Sequence, residues 1–146
     1  LCSFPLPLFS AGADRVTPEL LQRVNPLLDE FKVDLVLCGH DHTDARTVEV
    51  DSRALVNVPE GYEHAYDSTI GPVYVVSVSG PKMYKITKDD FAKRTAEDTQ
   101  LYQEVDINNS ELRFRAFKAT GQLYDQFILQ KREGEPNLLI ESTPDL

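Results

Sequence analysis

Tryptophan is absent from this sequence, methionine occurs once and cysteine only twice. Two thiols, Cys2 and Cys38, are too few for a disulfide-dense scaffold or a four-cysteine zinc site. Cys38 lies in an apolar run, which points to a buried thiol rather than a reactive one. No hydrophobic stretch approaches the ~20 residues that a membrane-spanning helix needs, so no membrane partner is expected. Positive charge is also in deficit: 15 basic side chains stand against 24 acidic ones, a net charge of −9. Such a surface repels phosphate backbones, so no nucleic-acid partner is expected, although one phosphate can still bind where a cation sits in the site. The chain opens Leu-Cys-Ser-Phe, without Met and without a basic stretch ahead of an apolar one. A lost beginning is therefore expected; no signal peptide is visible, and the compartment is left open.

What is present suits a folded domain. A composition of 41% hydrophobic and 27% charged residues is incompatible with a disordered chain. At 146 residues the sequence fits one domain, read here as a single partial domain over 1–146.

Residues 1–16 read as the tail of a strand running into a loop. Thr17 then suits a helix N-cap, Pro18 the first helical position and Glu19 the positive end of the helix dipole. Leu20, Leu21, Val24, Leu27, Leu28 and Phe31 recur at helical spacing and predict one apolar stripe over 17–31. Pro26 has no N–H for the Gln22 carbonyl, so a kink or a break is expected there. Residues 33–38 read as a short buried strand with Asp34 its only polar residue, and 73–78 as another. Between them, 39–70 has weak periodicity and predicts a long loop with one short strand at 47–50. Residues 88–94 suggest one or two helical turns. From 101 to 130 the apolar period becomes two, broken at Asn108-Asn109-Ser110 and Thr120-Gly121-Gln122, which predicts a three-stranded antiparallel meander. The residues from Gly134 on are expected to fray. The fold class is α/β, ending in this meander.

The stretch with chemistry in it is Cys38-Gly39-His40-Asp41-His42-Thr43. In extended backbone, residues two apart point the same way. His40 and His42 are therefore expected to face one partly open cavity, with Gly39 allowing a tight turn out of the strand. Their spacing suits a pair of metals ~3.5–4 Å apart, one imidazole on each. A bare His-x-His also arises by chance, but this one ends a buried strand, where α/β sheets place ligands.

Residues 33–43, with Arg46-Thr47 following, resemble the Gly-His-x-His block of the calcineurin-like metallophosphoesterases, in their purple acid phosphatase-like branch. Pro7-Leu8-Phe9-Ser10-Ala11-Gly12 looks like the segment after that family's His-His-Pro block. Residues 71–84 look like the next family strand with its glycine-rich end, and Gly121-Gln122-Leu123-Tyr124-Asp125-Gln126-Phe127 like the closing hairpin. The resemblance implies the carboxyl-terminal half of a β-sandwich flanked by helices. It also implies a metal-dependent phosphoric ester hydrolase with a pair of iron, zinc or manganese ions that activate water against a phosphate ester. Carried over by position, His40 and His42 match the two metal-binding histidines of the last motif, one per ion.

The departures are large. The family's upstream Asp-x-His, Gly-Asp-x-x-Asp and Gly-Asn-His blocks are missing, Pro5 stands where a ligand histidine is required, and Asp44 replaces a frequent tyrosine. Two neutral imidazoles without a bridging carboxylate fall short of the three protein ligands of a typical catalytic zinc. Weak or absent metal binding and little turnover are therefore expected from this chain without its amino-terminal half or another chain as partner. The alternative is a non-catalytic metal- or phosphate-binding or interaction module. For the remaining residues two readings each stay open. His64 is a proton donor or an exposed loop residue; Arg46 is a phosphate ligand or half of an ion pair. Asp34 and Asp41 orient the imidazoles, or Asp34 caps a neighbouring loop. Ser79-Gly80-Pro81-Lys82 is too short for a phosphate-binding glycine loop, and Arg113 and Arg115 read as a solvated strand face.

Overall fold

A computed structural model describes residues 1–8, 18–40, 42, 44–49, 72–77, 80, 82, 86, 92–96, 98–134 and 137–141. The elements are β1 (Cys2–Phe4), α1 (Pro18–Glu30), β2 (Leu35–Cys38), β3 (Asp44–Glu49), β4 (Val73–Val76), β5 (Ala92–Ala96), β6 (Leu101–Asn108), β7 (Glu111–Lys118), β8 (Leu123–Gln130) and β9 (Leu138–Glu141). They form a mixed α/β arrangement with two sheets. The first has five strands in the order β1-β2-β4-β3-β5; the second has four in the order β6-β7-β8-β9. In the first sheet β1, β2 and β4 run parallel, while β3 is antiparallel to both β4 and β5.

The continuous apolar runs of β2 and β4 are explained by burial on both faces. Leu35, Leu37, Val73 and Val75 pack with Phe114, Ala116, Phe127, Leu129 and Leu139 of the second sheet. The alternate residues Val36, Cys38, Tyr74 and Val76 pack with Leu21 and Leu28 of α1 and with Leu8. The central sheet is thus covered by a helix on one side and a sheet on the other.

Helix α1 starts at Pro18 as expected; Thr17 lies outside the described residues. The helix runs through Pro26 without a break into separate turns. Pro26 and Gln22 are both exposed, so water can reach the carbonyl that loses its partner. The apolar stripe is narrower than its spacing suggested: Leu27 is 52% and Phe31 73% exposed. Leu27 lies six steps of ~100° from Leu21, roughly 120° away from the packed face. Asn25 occupies that face instead and accepts a 2.9 Å bond from the Tyr74 hydroxyl. The helix ends with Val33 N–H on the Leu28 carbonyl and Lys32 N–H on that of Asp29, with Lys32 at φ 48°. This is a Schellman cap with lysine in the left-handed position that glycine usually takes.

The meander falls where the period-two pattern placed it, and β6–β7 close through Asn109 at φ 42°. Three expectations need correction. Strand β3 covers 44–49 rather than 47–50. Residues 92–94, expected as the end of a helical segment at 88–94, belong instead to strand β5, which pairs with β3; 88–91 lie outside the described residues. The region after Gly134 does not simply fray: Leu138–Glu141 pairs with β8, and Leu139 is fully buried. A four-residue strand shows too few alternations to be read without its partner.

Candidate functional site

Because β1, β2 and β4 are parallel, their carboxyl ends share one edge of the sheet, the edge at which open α/β sheets bind ligands. There the Gly39 N–H donates to the Phe4 carbonyl at 3.1 Å and the Ser77 N–H to the Cys38 carbonyl at 3.4 Å. His40 and His42 both follow β2 at this edge, and Pro5 follows β1. His40 is exposed, whereas His42 is half-buried.

The backbone differs from the straight strand on which the spacing argument rested. β2 stops at Cys38, and His40 has φ 69°, in the left-handed region. Period-two projection therefore does not carry past His40. The unusual conformation sits on His40 and not on Gly39, where an added Cβ would meet only the Pro5 carbonyl, at an ordinary 3.9 Å. Histidine is among the residues that occupy this region more readily than most.

His42 has its ring orientation set by a backbone partner. Its Nδ1 lies 2.6 Å from the carbonyl oxygen of Lys82. A carbonyl only accepts, so Nδ1 carries the proton and the lone pair of the neutral ring is on Nε2. Behind this edge, Gln103 of β6 donates to the Ser77 hydroxyl. The sequence held a signal for that contact, since Gln103 is the polar exception on the apolar face of Leu101, Val105 and Ile107.

Other candidates take structural roles. Arg46 is 2% exposed and lies among carboxylates. Its Nε donates to Asp125 Oδ2 at 2.5 Å, its Nη2 to Asp125 Oδ1 at 3.2 Å and its Nη1 to Glu141 Oε1 at 2.5 Å. The guanidinium also lies 5.3 Å from the Phe127 ring centroid. Burial alone would lower its pKa, but Asp125 and Glu141 more than offset this and raise it. Arg46 is thus the ion-pair residue of the two readings, joining β3 to β8 and β9.

Asp34 does not orient an imidazole. It precedes β2 while His40 follows it, about 20 Å apart at ~3.3 Å per residue. Its Oδ1 accepts from Lys131 Nζ at 2.7 Å and Asn137 Nδ2 at 3.1 Å, tying the two sheets together. Arg115 is half-buried rather than simply solvated, held by Glu104 and Asp106. Arg113 is exposed beside Glu111. Cys38 is a buried free thiol whose pKa burial pushes up. Asp41 and His64 lie outside the described residues, as does the side chain of Asp44.

Among the described residues, no group of three His, Cys, Asp or Glu side chains is placed to hold a metal ion. Two neutral imidazoles, one of them on an exposed left-handed residue, do not by themselves fit a resident metal pair.

No family model and no curated protein matches the sequence. Among solved structures, the purple acid phosphatase PPD1 from yellow lupin (Lupinus luteus) seeds matches with a TM-score of 0.64 at 19% identity. The match covers 90% of this chain and 24% of that one, so the chain spans about a quarter of the phosphatase's length. At this identity the likeness is one of fold: a distant structural relationship to a phosphatase.

Proposed function

We propose that the chain is the carboxyl-terminal part of a phosphoesterase-type β-sandwich. In this reading it presents His40 and His42 as metal ligands and hydrolyses phosphate esters only with ligands supplied by an amino-terminal half or another chain. The bond from His42 Nδ1 to the Lys82 carbonyl carries the reading. It sits at the ligand edge of the parallel strands and holds the imidazole in the tautomer that offers Nε2 to an ion or a proton. The phosphatase-like fold over most of the chain supports it. Iron, zinc and manganese suit imidazole donors, but two neutral ligands leave each cation largely hydrated and nothing to hold an attacking hydroxide in line.

The test is hydrolysis of p-nitrophenyl phosphate with added manganese, zinc or iron. The isolated chain is expected to be no faster than a His40→Ala/His42→Ala double variant. Fused to the amino-terminal half of a phosphatase of this fold, and carrying Pro5→His, it should gain tight metal binding and turnover that the double variant abolishes. Robust turnover by the unmodified chain, lost in the double variant, would show that its own residues complete the site.

A further inference from the structure

At the opposite end of β2 the two sheets do not close on each other. Ile107 shares the inward face of β6 with Leu101 and Val105, yet it is 61% exposed. It opens onto a cavity of about 140 Å³ whose apolar wall is made by Leu1, Ile107, Leu112 and Leu129. Asp34 and Asn137 also line the cavity, with Lys131 beside them. Asn137 is 8% exposed, and its Nδ2 is spent on Asp34 Oδ1. Asp34 Oδ1 thus takes both the Lys131 and the Asn137 donor. The polar lining therefore carries the carboxylates of Asp34 and Glu111 and the Asn137 amide, against the one ammonium of Lys131.

We propose that this cavity binds a small organic cation, a primary ammonium on an apolar body of about six carbons. An apolar cavity of ~150 Å³ accommodates one benzene ring, so the volume suits such a body. Carboxylates in the lining call for N–H donors, and the largely buried one of Asp34 favours charged ones. The protein itself demonstrates the recognition: the Lys131 ammonium already sits 2.7 Å from Asp34 Oδ1. The Lys131 side chain is half-exposed while its backbone N–H is held by the Ser110 carbonyl, so its ammonium acts as a tethered competitor for the carboxylate. The net charge of −9 draws cations toward the surface.

Benzylammonium is the probe, titrated into the isotope-labelled chain and followed by backbone amide shifts, with benzyl alcohol as the neutral isostere. A ligand of this size binds at about 1 mM at ordinary efficiency. Shifts are expected at Asp34, 107–112 and 129–131, with benzyl alcohol about tenfold weaker because it lacks the charge. Asp34→Asn should weaken benzylammonium about tenfold. Since Asp34 also links the sheets, Lys131→Met provides the second arm: removing the competing cation should tighten binding about threefold. Equal binding of the alcohol and the ammonium, no shifts in this region, or weaker binding in Lys131→Met would each overturn the proposal.

Discussion

Arg46→Met tests the centre of the fold. The side chain is 2% exposed, and its partners Asp125 and Glu141 have side chains 4% and 9% exposed. Methionine fills much of the volume but leaves two carboxylates in the gap between the sheets with no cation. Breaking a buried pair by removing one partner costs about 3–5 kcal/mol. A domain of this size has roughly 5–15 kcal/mol in all, so the variant should remain folded but with a much lower urea midpoint. The penalty comes from stranded charge rather than lost packing. Combining Arg46→Met with Asp125→Leu and Glu141→Gln should recover most of the loss, because a buried ion cluster is replaceable by packed neutral groups. Urea melts of the single and triple variants measure both effects. A single-variant loss below about 1 kcal/mol, or a triple variant no more stable than the single one, would refute the reasoning.

Two further outcomes follow from the same structure. Burial pushes the Tyr74 hydroxyl well above its usual range, with Asp29 and Cys38 adding to the shift, and burial also raises Cys38. The unfolded chain then loses these protons first, so folding stability is complete below about pH 8.5 and falls as pH rises through about 9–10 and beyond. The slope is about 1.4 kcal/mol per pH unit for each group. In Tyr74→Phe, alkaline urea melts should show a shallower decline from a lower starting stability, since Asn25 loses its 2.9 Å partner; an unchanged slope would exclude Tyr74 as a source. Lys32→Gly and His40→Gly should each raise stability by about 0.5–1 kcal/mol, as both residues occupy left-handed backbone. A thermal midpoint lowered by either substitution would show that its side chain contributes more than its backbone costs.

The local pattern alone determined much of the scaffold. Proline and glutamate at the start of α1, apolar continuity in β2 and β4, and period-two alternation broken by turn residues from 101 to 130 all reflect interactions between near neighbours. Those patterns also located the His40–His42 stretch at the end of a buried strand, and the family resemblance built on it agrees with a phosphatase-like fold. Contacts distant in sequence were decided only by the tertiary structure. Strand β9 exists because Leu139 reaches a core made by other strands and Glu141 reaches Arg46, 95 residues away. For Arg46 the reading as an anion ligand stays open until Asp125 arrives from β8. Asp34 likewise gives no local sign of its partners Lys131 and Asn137. The left-handed backbone at His40 was hidden for a related reason: the residue's identity permits that conformation, but the turn out of the parallel sheet imposes it.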